Sequence, residues 1–155
     1  MTSDEIVIRR AREEDLPQLI ALFADDAVGG HGDTTDPDAY HDYLRAFHAL
    51  DRASNEQLFV ATLDDAVVGT FQVTFLRTLA GRGALNMRIE AVQTRSDLRG
   101  RGIGAQMIAY ALEEGRRHDC KAVYLTSNLA RTDAHRFYER SGFHRSHAGF
   151  KMALK

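Results

Sequence analysis

The chain has 155 residues, 44% hydrophobic and 27% charged, with a formal net charge of −2. That length suits one domain with a real core, and so nearly neutral a balance offers no general attraction to nucleic acid or to an anionic membrane. Cys120 is the only cysteine, which excludes an intrachain disulfide and a cysteine-based zinc site; the first residues lack the charged start and apolar run of a signal peptide, and no eighteen apolar residues run together, so a cytoplasmic location is expected.

In chain order, residues 6–10 read as a short strand, and Asp15 with Pro17 opens a helix whose Leu16, Leu19, Ile20 and Phe23 form one apolar face. Residues 25–36 are rich in Gly and Asp without a period and read as a loop. Pro37 starts a second helix with Tyr40, Tyr43, Leu44 and Phe47 on one side. Residues 58–63 and 66–79, rich in β-branched and aromatic side chains, flank Asp64-Asp65 as an antiparallel hairpin. Residues 80–83 turn the chain into a strand over 84–94. There Leu85, Met87, Ile89 and Ala91 alternate with Asn86, Arg88, Glu90 and Val92, one face apolar and the other chemical. A helix follows, with Met107, Ile108, Ala111, Leu112 and Gly115 at helical spacing. A strand over 122–127, a helix carrying Tyr138 and a final strand pair over 143–154 complete the reading, β-α-α-β-β-β-α-β-α-β-β. The two strands flanking the longer helix are expected to be parallel neighbours through a right-handed crossover.

Between the 84–94 strand and that helix lies Arg99-Gly100-Arg101-Gly102-Ile103-Gly104. Helix-start N–H groups lack partners and sit at the positive end of the peptide dipole; glycines let a pyrophosphate approach them without meeting a Cβ, and arginine adds fixed charge. A phosphate-bearing ligand is the expectation. A kinase-type P-loop is excluded, because Ala105-Gln106 stands where Lys and Ser or Thr are required. Gly100, Gly102 and Ala105 do satisfy G-x-G-x-x-G/A, but the motif lies late in the chain, and the next strand ends in Thr126-Ser127 rather than in the acid that holds a ribose.

Arg99, Gly102 and Gly104 fit Arg/Gln-x-x-Gly-x-Gly/Ala, and residues 134–143, with Tyr138, Gly142 and Phe143, look like the closing signature of the GNAT (GCN5-related) N-acetyltransferase family. The order of elements is similar over nearly the whole chain. The resemblance implies a single GNAT domain over 1–155, with an α/β (α+β layer) fold. Its sheet would be mixed and mostly antiparallel, of about seven strands flanked by four helices, with a splayed central parallel pair. It implies acetyl-CoA as cosubstrate and transfer of an acetyl group to a primary amine of a small molecule by direct attack in a ternary complex, since no nucleophilic triad is visible.

By that resemblance, the N–H groups of Arg101, Gly102, Ile103, Gly104 and Ala105, in the turn entered through Arg99 and Gly100, would hold the pyrophosphate. Val92 and Thr94 would pair their main chain with the pantetheine arm, and an N–H near Val92 would stabilise the developing oxyanion. Tyr138 stands at the family's general acid, with helix packing as its alternative role; a phenol supplies the proton donor that Phe137 beside it lacks. Glu90 is either a general base, directly or through water, or the ion-pair partner of Arg88. Many members carry an asparagine seven residues before the tyrosine. Here Arg131 takes that place, to meet a coenzyme phosphate or an acidic acceptor, or to stand solvated at a helix start.

His41 and His48 are two helical turns apart and His31 lies in a loop, so no metal site is expected; His31 is instead a candidate acceptor contact. The partners expected are a small-molecule amine and, through exposed strand edges, a second copy in a homodimer, with neither nucleic acid nor membrane. Two other classes stay in view. One is a non-catalytic acetyl-CoA-binding sensor or assembly module; the other is a nucleotide-binding oxidoreductase.

Overall fold

The computed structural model describes residues 5–26 and 32–155. Its contacts divide the chain into two compact units, Met1–Leu125 and Thr126–Lys155. In the first unit, strands β1 (Val7–Arg10), β2 (Glu56–Leu63), β3 (Ala66–Arg77), β4 (Leu85–Thr94) and β5 (Ala122–Leu125) form one sheet in sequence order. Pairing is antiparallel from β1 to β4 and parallel between β4 and β5. Helices α1 (Leu16–Ala24) and α2 (Tyr40–Arg52) precede β2, a single turn α3 (Ala80–Gly83) joins β3 to β4, and α4 (Ile103–Arg117) crosses from β4 to β5.

Local chemistry explains the elements. Asp64 and Asp65 have φ of 48° and 65°, the paired left-handed conformation of a tight hairpin turn whose twist matches the strands on either side. In α3, Gly81 and Arg82 are both left-handed, so the segment acts as the turn that the sequence suggests. Pro17 lies in the first turn of α1, where the missing N–H costs no helical bond. Asp15 precedes that helix but does not cap it. Its carboxylate accepts two hydrogen bonds from the Arg9 guanidinium, 2.8 and 2.9 Å, and one from the Arg12 N–H, 2.7 Å.

Period-two alternation places the core on both faces of the sheet. Phe59, Phe71, Val73, Met87 and Ile89 are all at most 2% exposed and meet the fully buried Met107, Ile108 and Ala111 of α4. Gly115 permits the close approach: a Cβ there would stand 3.3 Å from Met87 Cε and 3.4 Å from Val123 Cγ2. On the other face Leu16, Leu19, Ile20 and Leu22 of α1 and Phe47 of α2 cluster with Val60 and Val67. Each such side chain contributes about 1.5–3 kcal/mol by leaving water.

In the second unit, α5 (Thr132–Arg140) ends at Gly142, whose φ of 102° suits glycine. The strand pair expected over 143–154 is not formed, and among the described residues the sheet has five strands rather than about seven. Phe150, Met152 and Leu154 do alternate with Lys151 and Ala153, but they are 96%, 84% and 90% exposed. Alternation supplies a face; a strand also needs a neighbour to complete its ladder.

Candidate active site

The site grows from an irregularity in β4. Thr70 pairs with Gln93 and Gln72 with Glu90, so Ala91 and Val92 together stand opposite Phe71, and Ala91 has φ of 53°. This is a β-bulge, which bends the strand and re-aims its main chain. Parallel pairing with β5 stops just before it, at Ile89 opposite Leu125, while β4 runs on to Thr94. The ladder of the central pair therefore ends at the bulge, and the main chain of Val92 and Thr94 extends past the last β5 partner. Gln93 fixes the parted strand from the far side by donating to the Leu22 carbonyl at the end of α1, 2.9 Å.

Beyond β4 a short 3-10 turn, Ser96–Leu98, leads into the glycines. Leu98 and Ile103, 6% and 4% exposed, pin the two ends of the turn to the core, so the residues between them are held at the surface by buried anchors. Gly100 and Gly102 have φ of 79° and 81°, a conformation that disfavours any side chain, and nothing lies within 4 Å of where a Cβ would stand on either. Gly102 is the N-cap of α4, and the helix's hydrogen bonding begins with Gln106 N–H donating to the Gly102 carbonyl, 3.1 Å. The N–H groups of Ile103, Gly104 and Ala105 precede that ladder. Arg99 Nε reaches the Thr94 carbonyl at 3.4 Å, and Arg101 is exposed beside the glycines. Arg95 pairs with Asp97 at 2.7 Å, and that hydrogen bond holds the Asp97 carboxyl below its usual range. Open space over a glycine turn, unladdered amides and a flanking arginine fit a pyrophosphate.

Glu90 lies on the face opposite Met87 and Ile89, half-exposed, with Oε1 3.0 Å from Arg88 Nε. The ion pair considered for these two residues is formed. Gln72 and Thr74 of β3 stand opposite them across the ladder, so the polar face continues over two strands.

Tyr138 and Arg131 belong to the second unit. Tyr138 is half-buried on α5 between Phe137, ring centroids 5.2 Å apart, and Phe143, edge-on at 6.0 Å. Burial raises its phenol above the ordinary value, and the charge of Arg131 partly opposes this. The proton is therefore firmly held at neutral pH. Arg131 is the N-cap of α5, with its N–H on the Asn128 carbonyl, 3.0 Å. Asn128 organises this start: its Oδ1 accepts from Ala130 N–H and its carbonyl meets His135 Nε2, both at 2.9 Å.

The structure thus brings Val92, Thr94, Arg99, Gly100, Arg101, Gly102, Ile103, Gly104 and Ala105 into one strand, turn and helix start, with Glu90 just upstream, and sets Tyr138 and Arg131 on one helix. Sequence reasoning did not find the bulge, because Leu85, Met87, Ile89 and Ala91 keep an unbroken alternation through it. Leu98, an apolar residue inside a charged turn, was the available sign of an anchored loop. His31 lies outside the described residues. Among those described, no group of three His, Cys, Asp or Glu residues is placed to hold a metal, and His48 instead meets Glu13 at 2.7 Å.

A mixed sheet with a bulged, parted parallel pair that feeds a glycine turn and a helix start defines the acetyltransferase class of α/β folds. The chain belongs to the acetyltransferase (GNAT) family, whose model matches residues 10–143. A curated relative, the aminoalkylphosphonate N-acetyltransferase of Salmonella typhimurium strain LT2, is 46% identical over 57 residues, 37% of each chain. A crystal structure described as a transcriptional regulator from Bacillus halodurans C-125 superposes with a TM-score of 0.93 at 38% identity, covering 97% of this chain and 100% of that one. The protein AAC(6')-Iy, solved with the bisubstrate analogue CoA-S-monomethyl-acetylneamine, has a TM-score of 0.77 at 18% identity, with 97% and 99% of the two chains covered, and bears on the fold alone. No helix among the described residues is long and apolar enough to cross a membrane.

Proposed function

We propose that this chain is a single acetyltransferase domain over residues 1–155 that moves an acetyl group from acetyl-CoA to a primary amine of a small molecule. The observation that carries the reading is the glycine turn, anchored by Leu98 and Ile103 and seated where β4 parts from β5. Acetyl-CoA supplies, when bound, an acetyl group activated as a thioester. Ile103, Gly104 and Ala105 would offer N–H groups to its pyrophosphate, with Arg99, Gly100, Arg101 and Gly102 shaping and charging the cradle. Val92 and Thr94 would present main-chain partners to the pantetheine arm. Tyr138 would hold a proton at Oη for the departing thiol, a role suited to a phenol kept protonated by burial. Glu90 would accept the amine's proton, with Arg88 holding the carboxylate in place, and Arg131 would face a phosphate or an acidic acceptor.

The Salmonella relative's name makes aminoalkylphosphonates the first acceptors to try, followed by amino sugars and polyamines. We further read the protein as cytoplasmic and homodimeric, with no role on nucleic acid or membrane. A second reading, a coenzyme-A-binding regulator without turnover, draws on the name of the Bacillus halodurans structure. Calorimetric titration with acetyl-CoA, coenzyme A and NADH, then thiol release over the amine panel, separates the readings. Binding of both coenzyme forms, no binding of NADH and amine-dependent thiol release is the expected result. Binding without release on any amine favours the regulator, and NADH binding alone overturns the family's cosubstrate for this chain.

A further inference from the structure

The strand order puts β3 and β4 inside the sheet, each with a neighbour on both sides. Interior strands ordinarily keep apolar side chains on a face that helices cover. The face that meets α1 and α2 begins that way, with Leu58, Val60 and Val67. It then changes character. Leu58 stands opposite Gln72 and Gln72 opposite Glu90, while Thr74 in the next row stands opposite Arg88. Opposed residues project on the same side of a ladder, so the middle of the sheet carries an arginine and a carboxylate there. Their side chains are 45% and 46% exposed, with Arg88 Nε 3.0 Å from Glu90 Oε1. An ion pair this exposed contributes little to stability, so stability does not account for two charges in the middle of a sheet. Glu90 immediately precedes the bulge, which sets the pair beside the Val92 main chain proposed to meet the thioester.

We propose that Arg88 is a specificity-determining residue for the acceptor, and that the acceptor is a short zwitterion: a primary amine with a carboxylate or phosphonate two or three carbons away. This rests on the acetyl-transfer reading above and on Glu90 as the group that meets the amine. A closely spaced ion pair is a template for a ligand of the reverse polarity and a similarly short charge separation. Arg88 touches Glu90 through Nε, and its guanidinium carries further donors at Nη1 and Nη2, in a planar fork that matches carboxylate and phosphonate oxygens. The two side chains leave one strand face at positions roughly 7 Å apart, close enough for one small molecule to meet both. Gln72 and Thr74 flank them with neutral donors and acceptors, which add hydrogen bonds without reversing either charge. The same guanidinium works against a polycation, whose second ammonium group would meet a like charge beside the first.

The test is thiol release from acetyl-CoA with 2-aminoethylphosphonate, β-alanine, n-propylamine and spermidine, together with calorimetric binding of each amine to the full chain saturated with coenzyme A. The expected result is a kcat/KM at least about tenfold higher for a zwitterion than for propylamine, the size of one charge-assisted hydrogen-bonded contact. The phosphonate and the carboxylate, compared with each other, show which anion the fork takes. Arg88→Gln should bring the ratio of zwitterion to propylamine close to one and weaken zwitterion binding by a larger factor than propylamine binding. Arg88→Lys, which keeps the charge without the planar fork, should hold an intermediate ratio. A ratio that Arg88→Gln leaves unchanged, with both substrates falling together, confines Arg88 to steadying Glu90 and overturns this inference alone. A wild-type preference for propylamine or spermidine over both zwitterions does the same. No thiol release with any amine overturns the acetyl-transfer reading and this inference with it.

Discussion

Ala91 offers the sharpest test of how the site is built. Its φ of 53° places an L-residue in the left-handed region, at a cost of roughly 1–2 kcal/mol. The side chain is exposed, so substitution reports the backbone and leaves core packing untouched. Glycine removes the steric cost but returns about 0.5–1 kcal/mol through its freer unfolded chain, which makes Ala91→Gly neutral to about 1 kcal/mol stabilising. Valine adds a branched Cβ to the same conformation and should cost on the order of 1–3 kcal/mol. At about 2–4 °C per kcal/mol for a chain of this size, Ala91→Val should melt roughly 2–12 °C below the wild type, and Ala91→Gly at or slightly above it. Calorimetric melting of the three proteins gives the comparison. If valine relieves its strain by flattening the bulge, coenzyme A affinity should fall at least about tenfold as β4 and β5 draw together. A valine variant with unchanged melting and unchanged affinity would refute the claim that this left-handed residue sets the parting of the strands.

Burial by itself would raise the Asp15 carboxyl, but the Arg9 guanidinium and the Arg12 N–H outweigh it and hold the group below its ordinary value. Asp15→Asn should therefore cost about 2–4 kcal/mol at pH 7, measured by urea unfolding; the folded-state value is the depressed one, so the wild-type advantage is complete above about pH 4 and is lost as pH falls through the folded value. Tyr138→Phe should lower kcat about a hundredfold or more with coenzyme A affinity unchanged. With the protonated phenol as the proposed active form and its pKa raised by burial, wild-type activity should persist up to the ordinary phenol range of about pH 10 and decline only beyond it, a limb the phenylalanine variant should lack. Equal turnover in the two proteins would remove Tyr138 from the proton-donor role. Gly102→Val should strain the α4 N-cap and crowd the open space above it, raising the coenzyme A dissociation constant at least about tenfold by calorimetry; normal affinity would sink the cradle.

Much of the fold was legible because it follows from local rules. Asp64-Asp65 marked the hairpin turn, Pro17 the first turn of α1, and the spacing of Met107, Ile108, Ala111 and Gly115 the buried face of α4. The glycine turn could be read as a turn, because only glycine holds the left-handed conformation of positions 100 and 102 without strain. The bulge could not. Ala91 keeps the apolar alternation, and the extra residue shows only in the register against β3. The C-terminal strand pair was over-read for the converse reason: Phe150, Met152 and Leu154 carry a strand's pattern, while ladder partners are a property of the fold. The pairing of Glu90 turned on a neighbour two positions away, and spacing alone did not distinguish a free carboxylate from one held by Arg88.

The Asp64-Asp65 turn also bears on the order in which the molecule assembles. It joins two long strands through two residues, so their ladder requires almost no loop closure, and hairpins of this kind form in about 1–10 µs. The parallel contact of β4 with β5 must wait until the whole intervening crossover, α4 included, has been drawn back onto the sheet. The β2–β3 hairpin should gain hydrogen-exchange protection first in a pulse-labelled refolding experiment, and Asn86–Ile89 with Ala122–Leu125 last; simultaneous protection would deny that order. The parallel seam of β4 and β5 is then the latest-formed and most easily opened part of the sheet, so transient loosening during the life of the protein begins beside the cleft proposed to admit and release the cosubstrate.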